Sequence, residues 1–483
     1  MPKAKIYYHD IGDYLDREEK LKTIKRFGSF ANPAMPLQEL QPNEHGDWIS
    51  VRNDAFSTFI QIESEKKFDI KSHSFFVVNS RGNESSRDAW MYASSKMLLS
   101  ENVHRTISFY NSEVDRYLKA APLRPNEKIT DFIDNNSSQI SWTSSLITYL
   151  EKANKAVFES HKIERSLYRP FYRQHLYRGE KLIHRRGQFD SFFPSPAHKN
   201  LVICVSGVGV TKDFTTIITD IIPDLELIGK SQCFPLYYYE ENTHTQKGLF
   251  DADGKQDYTR RDGVSDFILE RAQKQYGKNV SKEDIFYYVY GFLHSPEYKE
   301  TFAADLKKML PRLSLVENVK DFWAFSKAGR ALAELHLNYE NIPPHPQVIT
   351  LFNPLSITDA MKQAGKEEIE YLNYRVQKMR FPAKDSKDTI IYNSQITIEN
   401  IPAKAYEYVV NGKSAIEWIM ERYKVDTHKE SGITNDPNDW TKEHGKPRYI
   451  LDLLLSIINV SCQTVDIVRE LPKVEFAQTA ISK

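Results

Sequence analysis

The chain has 483 residues, enough for two to four domains at roughly 150 residues each, and its 40% hydrophobic content supports real cores. Sixty-five basic residues balance 65 acidic ones, which excludes a surface that grips polyanions everywhere and leaves only local patches for nucleic acid. Three cysteines, Cys204, Cys233 and Cys462, lie far apart with no second thiol or histidine at ligand spacing, so a disulfide framework and a zinc site are not expected and a reducing cytoplasm is the expected setting.

In chain order, residues 5–11 read as a strand and residues 16–22 open a helix with acidic side chains in its first turn. A strand so close to Met1 reads as the last piece of a domain that begins upstream. Residues 74–79 (SFFVVN) read as a buried strand, followed by a turn at Gly82 and a helix from about Arg87. That helix start could hold an anion, although a single glycine makes an ordinary turn the simpler reading. Helix continues over residues 102–120, and Pro122 and Pro125 mark a linker, which divides the chain into 1–122 and 123–483.

A helix at about 146–158 precedes residues 161–190, where eight basic side chains stand against Glu164 and Glu180 between Lys162 and Arg186. Tyr168, Phe171, Tyr172, Tyr177 and Phe189 alternate with the arginines. Guanidinium forks and stacking rings suit nucleic acid. A salt-bridged surface segment, or a strand pair with arginines at its rim, would show the same pattern.

Residues 200–206 (NLVICVS) read as a buried strand. Gly207 and Gly209 lack the third glycine or the Gly-Lys-Ser/Thr of a nucleotide loop. Residues 233–240 form another strand, and 241–262 a polar loop. A helical block follows over about 265–340, with Ser281 as a cap, a helix at 297–310 stopped by Pro311, and Phe322, Phe325, Gly329, Leu332 and Leu335 on one helix face. Residues 348–410 revert to short strands, with a smaller mix of aromatics and bases at 371–381. Two helices, 413–423 and 449–471, flank the turn-rich loop 427–448; the most apolar run, 449–460, is broken by Asp452 and too short to span a bilayer. The expected fold class is mixed α+β: a β-rich core, an inserted helical block and C-terminal helices.

No Walker loop, HExxH or GxSxG is present. Pro223-Asp224 with Asp253-Gly-Lys255 matches the string of a metal-dependent nuclease, but a glycine-rich polar loop is a poor place for a rigid metal ligand. Asn353-Pro-Leu-Ser and Asn32-Pro-Ala-Met keep only half of an amino-methyltransferase motif. The expectation is no catalytic and no metal-binding residue in this chain.

Eight short motifs occur in order: residues 6–21 (IYYHDIGDYLDREEKL), His45-Gly-Asp-Trp, Arg87-Asp-Ala-Trp, Tyr168-Arg-Pro-Phe, Tyr290-Gly-Phe-Leu-His-Ser-Pro-Glu-Tyr, Phe322-Trp-Ala-Phe with Leu335-His-Leu-Asn-Tyr-Glu, Asn411-Gly with Glu417-Trp, and Ser431-Gly-Ile-Thr-Asn-Asp-Pro-Asn. Together, over about 5–471, they resemble the C-terminal part of type ISP restriction-modification enzymes, which join a nuclease, a translocase, an adenine methyltransferase and a specificity domain in one polypeptide. The resemblance implies a target recognition domain at 123–483 beside a methyltransferase-adjacent segment at 1–122. It implies double-stranded DNA as partner, together with methyltransferase, translocase and nuclease domains. It also implies that S-adenosylmethionine, ATP and magnesium serve upstream domains only.

No base-reading residue follows from the resemblance, so the expected DNA contacts rest on charge and aromatics. They are Arg169, Arg173, Arg178, Lys181, Arg185 and Arg186, with Tyr172 and Tyr177 packing on sugar or base, and Arg81 and Arg87 as a second set. Two alternatives stay open: a nuclease using Asp224, Asp253 and Lys255, and a structural arm that never touches DNA.

Overall fold

The computed structural model describes residues 4–12, 15–49, 51–120, 128–242, 258–355 and 359–476. Two hydrophobic cores lie on either side of one four-stranded sheet, ordered Ser80–Arg81, Gln232–Pro235, Val202–Val205, Thr216–Thr219. Val202, Cys204, Ile217 and Cys233 face the larger core, and Ile203, Val205, Ile218 and Phe234 face the smaller one. Successive strand residues point to opposite faces, so a strand buried on both sides reads as an unbroken apolar run. Cys204 and Cys233 are register partners in this sheet, and their sulfurs lie 3.7 Å apart. Strand pairing brings together thiols that sequence spacing kept apart.

The smaller core joins that sheet to the helical block, where Lys282–Phe292 packs on Val319–Leu337. Ser281 and Asp284 form a capping box at the first of these helices. The expected helix at 297–310 is two pieces, Pro296–Thr301 and Ala303–Lys308, broken at Phe302.

The larger core surrounds the arginine ribbon, which folds as the antiparallel hairpin Ile163–Arg169 and Tyr172–Tyr177. Its tip, Pro170 and Phe171, does not project into solvent. Phe171 is fully buried against Tyr339, Tyr408 and His336. The helix Tyr449–Arg469 closes this core. It is the one described helix long and apolar enough to cross a bilayer, and most of it is buried inside the protein.

Several expected elements differ. Residues 74–79 are buried but form no strand: their amides bond to Gln61, Ile62 and Gly263 on different segments, and only Phe76 pairs as a bridge, with Val264. The helix expected from Arg87 runs only over Asp88–Met91, because Tyr92–Ala93 pairs with the hairpin at Leu176 and His175; helix resumes at Lys96–Ala120. That helix shares the larger core with residues on the far side of the expected boundary, among them Leu146 and Leu150. The linker itself, 121–127, lies outside the described residues.

A helix, Asp359–Tyr374, occupies a stretch read as strands, kinked at Gly365 where φ is 82°. The loop 427–448 contains the helix Pro437–Glu443, capped by Asp436. Its Glu443 accepts hydrogen bonds from Ser95 Oγ at 2.6 Å and from the amides of Lys96 and Met97, satisfying the free N–H groups at the start of Lys96–Ala120. The described residues among 4–49 stand outside both cores: the helix Arg17–Phe27 buries no side chain, and Leu21, Ile24 and Phe30 are exposed.

Candidate nucleic-acid interface

The hairpin sorts its arginines by burial. Arg169 pairs with Asp224 at 2.6 Å, lies 3.8 Å from Asp88, and covers the Tyr168 ring at 3.9 Å. Arg173 crosses to the helical block, where it pairs with Glu340 at 3.1 Å and donates to the Leu337 carbonyl. Arg178 is held by Asp190 at 2.9 Å with only 3% of its side chain exposed. Arg87 donates to the carbonyls of Ser141 and Leu182 and to Thr143 Oγ1, and burial pushes its pKa down to about 10. These four guanidinium groups bond to carboxylates and carbonyls of the protein itself.

The two tyrosines are equally occupied. Tyr172 bonds through its hydroxyl to Ser94, Gln174 and Asn435, and the Tyr177 hydroxyl donates to the Val157 carbonyl while its ring stacks on Phe158. Both rings are buried, so neither has a face for a sugar or base in this conformation. Their alternation with arginine reflects a strand pair whose inner face is aromatic and whose ion pairs hold it to neighbouring elements.

Of the remaining cations, Arg81 and Arg185 share one surface. Arg185 and Glu84 exchange backbone hydrogen bonds, which sets residues 184–188 against residues 80–84. Arg185 and Arg81 then flank one carboxylate, Glu84, at 3.3 and 3.9 Å, with side chains 58% and 48% exposed. Two cations on one anion leave a positive surplus at the surface. Arg186 pairs with Asp190 at 2.8 Å and is partly exposed. Lys181 is half-buried and makes no ion pair among the described residues.

Arg81 also sits across the sheet from Gln232, beside the exposed Lys230, whose backbone is left-handed at φ 48°. Gln232 and Lys230 extend the basic surface with a side chain of the type that reads base edges. Nothing in the linear order of residues links them to Arg81 or Arg185; antiparallel pairing does. Within the second mix of aromatics and bases, Tyr371 is buried whereas Lys378 and Arg380 are exposed.

Asp224, the first residue of the nuclease string, has no free ligand atom. Oδ1 accepts from Arg169 and the Glu226 amide, and Oδ2 accepts from the Tyr92 hydroxyl at 2.9 Å. Burial raises its pKa to about 7 against the pull of Arg169. Asp253 and Lys255 lie outside the described residues.

Residues 74–453 match the family model described as the Type ISP C-terminal specificity domain. The chain belongs to that family. No curated protein matches it. This specificity domain is similar over 98% of its length to three solved structures. One is a nuclease-deletion mutant of the Type ISP restriction-modification enzyme LlaGI in complex with a DNA substrate mimic, at 36% identity and a TM-score of 0.79. Another is the ATP-dependent Type ISP enzyme LlaBIII bound to DNA, at 35% identity and 0.80. The third is the DrdV–DNA complex, at 27% identity and 0.77. The chain spans 40%, 28% and 44% of those proteins, less than half of each.

Proposed function

We propose that this chain recognises a short double-stranded DNA site within a Type ISP restriction-modification system and performs no catalysis of its own. The likeness, over nearly the whole chain, to enzymes solved on DNA is the observation that carries the reading. On it, Arg81, Arg185, Arg186 and Lys181 touch the duplex backbone, with Lys230 and Gln232 beside them. The buried Arg87, Arg169, Arg173 and Arg178 hold the frame. The exposed apolar side chains of Leu21, Ile24 and Phe30 are the proposed meeting point with the methyltransferase, translocase and nuclease parts. S-adenosylmethionine, ATP and magnesium would serve those parts.

The test is selection from a randomised duplex pool, followed by titration of the enriched duplex across salt. Replacing Arg81 and Arg185 together by Ala lowers affinity and reduces the salt slope by about one for each phosphate that is no longer neutralised. An unchanged slope removes these two residues from the interface. Failure to bind any duplex at low salt returns the chain to a docking arm.

A further inference from the structure

A cavity of about 850 Å³ opens between the residues before Thr216, the segment around Pro296–Thr301, and the last turns of Tyr449–Arg469. That size suits a small organic molecule. Leu293, Val409, Val465 and Val468 make an apolar wall. Two cations on the rim are neutralised by neighbours that also line it: Lys307 by Asp213 at 3.3 Å and Arg469 by Glu407 at 2.6 Å.

Lys299 has no such neighbour. Its ammonium makes no hydrogen bond or ion pair among the described residues, and burial lowers its pKa with only Glu300, which also lines the cavity, opposing. Lys299 is partly exposed into the cavity, and a half-desolvated ammonium without an ion-pair partner gains from an anion that meets it there. At the floor, His294 is 4% exposed and donates from Nδ1 to the Tyr290 carbonyl at 2.8 Å. A carbonyl only accepts, so Nδ1 carries the proton and Nε2 offers a lone pair. Among the described residues, no group bonds to Nε2.

We infer that this cavity binds a small anion with an apolar body, a carboxylate or a phosphate monoester, whose head pairs with Lys299 and whose body lies against the valine and leucine wall. Lys299 supplies charge recognition, the wall supplies the area, and His294 Nε2 offers an acceptor to a polar group near the floor. The site shares no lining residue with the surface of Arg81 and Arg185 and stands whether or not that surface binds DNA.

Calorimetric titration of the full chain with octanoate, octyl phosphate, 1-octanol and acetate tests it. One of the two anionic amphiphiles is expected to bind saturably, about tenfold or more tighter than octanol or acetate. The better of the two decides between carboxylate and phosphate. Lys299→Met should weaken that binding by about tenfold while the fold, followed by circular dichroism, is retained. Val465→Trp, which fills the chamber, should abolish it. Octanol binding as tightly as octanoate, an unchanged affinity in Lys299→Met, or no saturable binding by either anion overturns the inference.

Discussion

Phe171 occupies a left-handed backbone conformation, φ 58°, which costs a residue with a side chain on the order of 1 kcal/mol. Pro170 before it suits the preceding turn position, and the fully buried ring more than offsets the strain. Phe171→Ala should therefore lower stability in urea by about 3–5 kcal/mol, as for other buried aromatics. Phe171→Gly should lose less, because it removes the ring and the strain together. Equal losses would mean that the backbone angle carries no cost. The same logic distinguishes the arginines: Arg173 and Arg178 are each tied to carboxylates on another segment, whereas Arg185 meets one carboxylate at the surface.

Among elements, the helices Lys282–Phe292 and Val319–Leu337 cross at two glycines. A Cβ on Gly329 would lie 1.9 Å from the Tyr287 carbonyl oxygen, and one on Gly291 would lie 2.2 Å from that of Phe325. Gly329→Ala should destabilise by about 1–3 kcal/mol through forced separation of the helices, read as a lower melting temperature. At an exposed helical position the same change would stabilise, so the sign alone decides whether the crossing is rigid. This helix pair was legible in the sequence because its apolar face has a clear period. The helix Asp359–Tyr374 was not, since charged residues and Gly365 mask any period. Residues 74–79 misled for the opposite reason: burial from every side makes an irregular segment look like a strand. For the ribbon, a strand pair with arginines at its rim was one of the readings the pattern allowed. Which arginines were internal was not legible, because Asp224 and Glu340, partners of Arg169 and Arg173, lie 55 and 167 positions away.

For the whole molecule, buried titratable groups set the response to acid. Burial holds His336 well below its ordinary value and pushes His294 down to about 3. Below about pH 6.5 the unfolded chain takes up protons at both while the folded chain does not, so stability falls with pH by about 1.4 kcal/mol per unit for each. Asp224 has the opposite sign: with its pKa raised to about 7, the folded state holds the extra proton between roughly pH 4 and 7, and stability falls as pH rises through that window. His175, pushed down by burial to about 4, adds a third histidine, and against the carboxyls that burial raises, Asp224 foremost, the histidines leave a net loss on acidification. Urea midpoints between pH 7 and 5 should decline, and more steeply in Asp224→Asn. A flat profile in that variant would show that the histidines do not stay neutral.

The internal arginine frame also bears on how this molecule can diverge. Arg87, Arg169, Arg173 and Arg178 are engaged inside the protein, while Arg81, Arg185, Lys230 and Gln232 project from paired strands and straps whose backbones are already bonded. Exchange at the outer positions alters surface chemistry without leaving a buried charge unmatched. Descendants of such a chain can vary those tips independently while inheriting the frame unchanged.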